Sequence, residues 1–489
     1  MVAVTTAMIV VGFGATQMLA IENGAAGTLV GAGLVALAAP LARGRRRALI
    51  AAATLVVASL ALDADASALT IGPAAAMLIG MAFATPAFRA TGDPATRRLL
   101  VPAATLLAVG LAADLAHAGG ALAHPLTVTL VLAAALTAFR ALRPWRTSAG
   151  TGSADRGHAT AIVARSATDT LAPFALRSDK RYHFDEAGTS FLAYRVVCGV
   201  ALVSGDPIGD STVFPALVSD FATTASRRGW LVGVLGASAL RVHLWRDLGF
   251  NAHYTGDEAI VDPAKFSLEG RAIRKVRQSV SRLEREGYRS EFLRTTEISD
   301  ELARELSGIA EQWLGGHSET GYSMAFNGAG VDRAREDLYA IARDRDGCVR
   351  GFLHFGIVGM NEAISLSSMR RDRATPNGLN EYLITQTLAW AREEKIARVS
   401  LNFAAFALLL DPPAALDPVS QLERRCLTRF GERFQLERLL SFSEKFSPTW
   451  TPRYAAYPSL ATLPRIALAA MLAEAYVSLP RVPWNRSSR

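Results

Sequence analysis

The stretch "SLSSMRRDRATPNGLNEYLITQTLAWAREEKIARVSLNF", residues 365–403, decides the fold. Ile364 and Leu366 alternate with Ser365 and Ser367, the pattern of a half-buried strand over 362–369. Arg370, Arg371 and Arg373 follow, then a Thr-Pro-Asn-Gly turn, a helix over 378–394 and a second strand over 398–404. Strand, basic loop, helix and strand in that order imply helices packed on a mixed sheet. The head of a helix behind such a loop favours an anion, because unpaired backbone N–H groups and the helix dipole point there.

The same alternation extends both ways. From Tyr288 the sequence predicts helices over 299–314 and 331–343 and a strand over 349–358. An earlier series starts at Ala159, where "SFLAYRVV", "VALVSG" and "WLVGVLG" alternate with helical stretches. Two α/β series in tandem suggest a duplicated domain. Between them lies "SLEGRAIRKVRQSVSRLEREG", 267–287. Projected as a helix, Arg271, Arg274, Lys275, Arg282 and Arg285 share an arc of about 100°, opposite Ile273, Val276, Val280 and Leu283. One face is set to be buried and the other to meet phosphate, in RNA or in a lipid headgroup. The plainer alternative is a solvated helix face.

Everything before Trp145 has another character. Apolar runs near 1–21, 24–42, 48–62, 67–88, 99–117 and 121–139 read as about six membrane spans. Arg43, Arg45, Arg46 and Arg47, then Arg89, Arg97 and Arg98, then Arg140, Arg143 and Arg146 fall in alternate loops, which places both termini in the cytoplasm. Abundant Gly and Ala suit close helix packing. Residues 146–158 are small and polar and read as a flexible linker. The resulting division is 1–145 membrane, 146–158 linker, 159–266 first α/β half, 267–287 basic helix, 288–456 second half with the active site, and 457–489 a C-terminal helix that either lies in the membrane interface or packs on the protein.

The chain of 489 residues is half hydrophobic and carries a net charge of +8, a balance that speaks of anionic partners. Three scattered cysteines fit a reducing compartment, with Cys as a small apolar residue. Neither they nor the eight histidines show metal-ligand spacing, so no metal is expected. A glycine-rich coenzyme A loop is missing where "RRDRATPNG" stands, which disfavours an acetyl-CoA enzyme.

The pieces "SDKRYHFDEAGTSFLAYRVV", "SGDPIGD", "DEAIVDPAKFSLEGRAIRKVRQSVSRLEREGY", "EQWLGGHSETGYSMAF", "SSMRRDRATPNGLNEYLI", "VSLNFAAF" and "EKFSPTWTPRY" run in order over about 175–455. Together they resemble the C-terminal aminoacyltransferase domain of MprF-type phosphatidylglycerol lysyltransferases, including actinobacterial aminoacyl-phospholipid synthases. The resemblance implies two tandem GNAT-like folds joined by the basic helix. It also implies transfer of an amino acid, lysine favoured, from aminoacyl-tRNA to phosphatidylglycerol without a cofactor, giving a cationic lipid and resistance to cationic peptides. Alanine as the amino acid, diacylglycerol or another glycerolipid as acceptor, and homo-oligomerisation stay open. A non-catalytic membrane scaffold binding RNA or anionic lipid is the competing class. Full-length relatives that translocate their product carry more spans, so lipid flipping is not expected.

The resemblance carries over residue by residue. Arg370 matches the Met-Arg arginine and Lys445 the lysine of Lys-Phe-x-Pro-x-Trp. Glu381 stands where many relatives have aspartate. Glu319 lies in the Glu-x-Gly-Tyr-Ser segment and Asp206 in Gly-Asp-Pro-Ile-Gly. From chemistry, Glu381 orients the donor or acts as base, against the plain reading of a first-turn Glu that complements the helix dipole. Arg370 and Arg371 are expected to clamp a phosphodiester, the alternative being that one of them pairs with Asp372 or a neighbouring acid. Trp450 stacks a base or packs in the core, and Asn402 lines the site from its strand. His317, on a glycine loop, reads as incidental.

Overall fold

The computed structural model describes residues 2–19, 24–42, 44–62, 68–91, 94–99, 101–106, scattered positions between 108 and 140, 151–166, 168–315, 321–328, 330–405 and 441–477. The chain divides into two compact units, 1–148 with 222–231, and 149–221 with 232–489.

The first unit contains helices α1 (Val2–Leu19), α2 (Gly24–Ala36), α3 (Ala38–Ala42), α4 (Arg46–Leu62) and α5 (Ala68–Ala84). They bury Val10, Leu34, Leu41, Val56 and Met77 together, yet Met8, Ile50, Ile79 and Phe83 are more than half exposed. α1 and α2 touch backbone to backbone. A Cβ on Gly14 would stand 2.8 Å from the Gly31 carbonyl oxygen, and one on Gly31 2.5 Å from that of Gly14. The first four expected spans thus coincide with apolar helices, the second interrupted at Leu37. Among the described residues no helix is long and apolar enough to cross a membrane. The last two expected spans lie largely outside the described residues.

From residue 149 the chain forms α6 (Ser153–Ser166), then β1 (Arg181–Phe184), β2 (Ser190–Val197), β3 (Val200–Ser204), β4 (Ile208–Gly209), α7 (Phe214–Arg227), β5 (Leu231–Ser238), α8 (His243–Arg246) and β6 (Asn251–Val261), all in the second unit except 222–231. The second series is α9 (Arg274–Arg285), β7 (Arg289–Arg294), α10 (Asp300–Leu314), β8 (Asp337–Arg343), β9 (Val349–Val358), β10 (Ala363–Arg371), α11 (Leu379–Glu393), β11 (Arg398–Ala405), β12 (Thr449–Tyr457) and α12 (Leu463–Ala473).

All strands join one sheet in the order β1-β2-β3-β5-β12-β6-β11-β10-β9-β8-β7, with β4 on β2. The two series exchange their last strands. β12 lies antiparallel between β5 and β6, and β6 turns its other edge to β11. The expected cut between halves therefore crosses a continuous sheet. Over the second half, α9 and α11 cover one face, burying Val276, Val280, Leu283, Leu379, Leu383 and Leu388 on Leu338, Leu353, Phe355 and Leu366. α10 covers the other through Leu302, Leu306 and Ile309 on Tyr339, Ile341 and Phe352.

Four expectations change. The stretch 331–343 is not a helix. Its spaced charges imitate helical pairing, but Leu338, Ala340 and Ala342 face α9 and α11 while Tyr339 and Ile341 face α10, so a strand is buried on both sides and shows no period of two. The basic helix starts only at Arg274; its predicted apolar stripe is buried as expected. The linker is helical from Ser153 onward, because Ala159, Ile162 and Val163 form a stripe that is buried against Phe191 and Ile208. Cys198 and Cys348 are exposed thiols, not apolar filling. The C-terminal helix takes the packing alternative over Leu463–Ala473: it buries Ile466, Ala469 and Ala473, and a Cβ on Gly233 would meet Ile466 at 2.6 Å.

Candidate functional site

Strands β10 and β11 are parallel and pair only from Ala363–Arg398 to Ser365–Ser400. Immediately beyond, β10 bulges between Leu366 and Ser368 against β9, and β11 loses register between Ser400 and Phe403 against β6. The sheet is open there. Asn402, at φ 78°, bridges the opening by donating to the carbonyls of Met324 and Leu366, each at 2.9 Å. Its amide thus holds the gap's geometry as well as lining it.

A segment from the second series plugs the opening. The Phe326 N–H donates to Ser367 Oγ at 3.0 Å, and the Tyr322 hydroxyl to the Leu202 carbonyl at 2.7 Å. Glu474, just past α12, accepts from the Tyr322 N–H at 2.5 Å and the Ser323 N–H at 3.3 Å. Arg177 donates to the carbonyls of Gly321 and Ala325. Glu319 and His317 belong to the same stretch of sequence but lie outside the described residues.

Arg370 and Arg371 leave β10 from opposite faces. Successive strand residues project to opposite faces, and the bulge sets which one goes where. Arg370 lines a small chamber beneath Leu306 and Ala310 of α10. Arg371 is on the α11 side, where its Cβ would crowd a side chain at Gly351 beside Leu379. There it donates to Thr375 Oγ1 at 3.2 Å and to the Pro376 carbonyl at 3.5 Å. Asp372 is paired with Arg350 at 3.2 Å. The basic loop is also tied to α10: Arg373 donates to the Trp313 carbonyl at 3.3 Å, and the Arg371 guanidinium stands 5.9 Å from the Trp313 ring centroid.

Glu381 and Lys445 do come together, Nζ to Oε1 at 2.8 Å, although 64 residues separate them. Glu381 sits in the first turn of α11, after Gly378 at φ 94°, a conformation glycine takes without strain. Its side chain is 18% exposed and that of Lys445 38%, so the pair is half-open to solvent. It belongs to the α11 side of the sheet, Phe442 and Phe446 beside Lys445 being part of that core. Arg370 therefore stands on the other side of β10 from the pair.

Of the basic residues, Arg271, Arg274, Lys275 and Arg285 are exposed. Arg282 is half-buried and donates to the Asn377 carbonyl at the head of α11. Trp450 follows the packing reading, on β12 opposite Ala259 and against the α9–α11 core. Asp206 is 8% exposed and accepts from the Ser238 N–H at 2.9 Å. Burial, and then the neighbouring Asp169, push its carboxyl up to about 7. It is a seam residue of the first half, remote in sequence from β10.

Sequence reasoning missed the charges at the seam. Arg453 on β12, 2% exposed, is paired with Glu258 on β6 and with Asp169. Burial favours its neutral form, but Asp169 and Glu258 outweigh that and hold the guanidinium above its ordinary value. Ser400 also donates to Glu258. Lys180 was missed too: 1% exposed, it donates to the Phe174 carbonyl at 2.9 Å and to Ser204 Oγ at 2.6 Å. Burial, then Arg177, pull its ammonium down to about 7. Among the described residues no cluster of His, Cys, Asp and Glu could hold a metal.

The family described as phosphatidylglycerol lysyltransferase, C-terminal, matches residues 160–457, which include both series, the opening between β10 and β11, and the Glu381–Lys445 pair. The chain belongs to this family. A lysylphosphatidylglycerol biosynthesis bifunctional protein LysX of Mycobacterium avium (strain 104) is 37% identical over 314 residues, 64% of this chain and 27% of that protein. The protein of that description from Mycobacterium marinum (strain ATCC BAA-535 / M) is 36% identical over 315 residues, 64% of this chain and 28% of its own length. The chain thus spans about a quarter of the length of these curated relatives. Among solved structures, the C-terminal domain of a putative lysylphosphatidylglycerol synthetase from Agrobacterium fabrum superimposes with a TM-score of 0.57 and 25% identity, covering 66% of this chain and 97% of that one. L-PGS from Bacillus licheniformis shares the fold, at a TM-score of 0.59 and 23% identity, covering 67% and 98%. The phosphatidylglycerol lysyltransferase family match leaves out residues 1–159 and 458–489.

Proposed function

We propose that the second unit transfers an amino acid, lysine favoured, from aminoacyl-tRNA to the hydroxyl of phosphatidylglycerol. The observation that carries this reading is the family match over 160–457, which takes in both halves of the shared sheet and the opening between β10 and β11. The donor ester is already activated, so juxtaposing it with the alcohol does most of the work, and positioning contributes roughly 7–11 kcal/mol of barrier reduction. Glu381, hydrogen-bonded to Lys445, orients the ammonium of the aminoacyl group. The exposed Arg274, Lys275 and Arg285 supply the cationic surface for the RNA backbone.

Residues 1–145 anchor the enzyme in a cell membrane, with the second unit in the cytoplasm where charged tRNA is found. Apolar helices whose outer residues are themselves apolar support this, as does the alternation of basic loops. The product carries positive charge, lowers the negative charge of the surface and resists cationic peptides.

Lipid extracts from cells with the protein, without it, and with Glu381→Gln test the reading by mass spectrometry. A lysyl-lipid that depends on the protein and falls at least about tenfold in the variant is expected. An alanyl product, or diacylglycerol as acceptor, would redefine the substrates. No aminoacyl-lipid of any kind would leave the scaffold reading.

A further inference from the structure

The chamber beneath α10 holds polar groups that the transfer proposed so far does not use. His354 on β9 places Nε2 2.9 Å from Asp337 Oδ2, and Asp337, 2% exposed, is gripped by Arg335 at 3.2 and 3.0 Å. The imidazole is stacked on Tyr339, with ring centroids 4.4 Å apart and planes 9° apart, and Phe326 stands 5.2 Å away. Its orientation is therefore fixed, and among the described residues its second ring nitrogen has no partner. Tyr339 is 2% exposed, yet its hydroxyl has no hydrogen-bond partner among the described residues. A buried hydroxyl without a partner forfeits its hydrogen bonds to water, so the place calls for a polar occupant. Ser368 and Arg370 complete the wall, just past the bulge where the sheet opens. The enclosed part of the chamber has room for about one water-sized group.

We propose that this chamber receives the acceptor alcohol of a glycerol-phosphate headgroup, with His354 as the base that takes its proton and Arg370 facing the phosphodiester. The proposal rests on the aminoacyl transfer proposed for the second unit. A hydroxyl fills the enclosed space and accepts from the Tyr339 hydroxyl. Asp337 fixes the tautomer of His354 and stabilises the imidazolium once formed, as an acid behind a histidine does. The alcohol oxygen bonds to the acyl carbon as its proton passes to the open nitrogen of His354. The bond from that carbon to the ribose oxygen of the tRNA breaks, and the departing oxygen takes the proton back. Arg335, Asp337, Tyr339 and Arg370 are the charged and titratable groups around the ring.

Two readouts on the full chain test this. In phosphatidylglycerol vesicles with lysyl-tRNA, His354→Gln should lower kcat about hundredfold or more, leave KM for the tRNA unchanged and erase the acid limb of the kcat/KM profile. Tyr339→Phe, which keeps the packing, should raise KM for the lipid several-fold. Separately, the 15N ring resonances of His354 should move when water-soluble glycerophosphoglycerol is added, and move less in Tyr339→Phe. Transfer by His354→Gln within twofold of wild type with the same pH limb overturns the proposal, as does a ring signal unmoved at saturating headgroup. A ring that moves in a protein that transfers nothing keeps the alcohol site and ends the transfer reading instead.

Discussion

Lys180 shows what one side chain costs when the fold swallows it. Its folded value lies near 7, below the ordinary value of 10.5, so between those two pH values the unfolded chain holds a proton that the folded chain lacks. Stability from this group is full above about 10.5 and is lost as pH falls through 7. The difference in unfolding free energy between wild type and Lys180→Met should therefore change by pH 7 in the direction of a less favoured wild type, relative to pH 10. Urea titrations at the two pH values check it. The Glu381–Lys445 pair behaves otherwise. Half-open to solvent, it contributes at most about 1 kcal/mol. Glu381→Gln should leave the thermal midpoint nearly unchanged, so that any loss of transfer reports on chemistry. At this scale the sequence names residues but not their neighbours: Glu381 and Lys445 stand 64 residues apart in it, and only the fold puts them 2.8 Å from each other. It was not legible for Arg370 against Arg371, because a bulge invisible in the sequence decides the faces. Nor could Asp169, Glu258 and Arg453 be joined, since 284 and 195 residues separate Arg453 from its two partners.

Among elements, α9 divides its labour along its length. Val276, Val280 and Leu283 weld it to the sheet, while Arg274, Lys275 and Arg285 remain in water. Arg274→Glu, Lys275→Glu and Arg285→Glu together should weaken tRNA binding and make its salt dependence shallower, by about one log–log unit for each phosphate no longer neutralised. Filter binding across a salt series measures this, and calorimetry should show unfolding unmoved. Equal salt slopes would remove the helix from the RNA surface. The amphipathic helix was readable because one face is wet. β8 was not, since both its faces are dry and its flanking Asp332, Arg333, Arg335 and Glu336 imitate a helix. Here burial on two sides erased the period that identifies a strand.

For the whole second unit, the exchange of β6 and β12 makes each half depend on the other. A fragment 151–272 would lack β12 and leave the edges of β5 and β6 unpaired, while 273–477 would lack the strand that flanks β11. Neither should unfold cooperatively alone by circular dichroism, whereas 151–477 should. Arg453, at the centre of the exchange, ties β12 to β6 and to Asp169. Its replacement by alanine strands two carboxylates and should cost about 3–5 kcal/mol in urea unfolding. The tandem α/β series was legible from element order, but the exchange was not, because no local pattern says which edge a last strand joins. One reaction stands at the centre of all this. Purified full-length protein in phosphatidylglycerol vesicles, given radiolabelled lysyl-tRNA or alanyl-tRNA, should form labelled lipid that disappears when the RNA is digested beforehand. Label that stays on the RNA or is released only as free amino acid, with both donors, would contradict it.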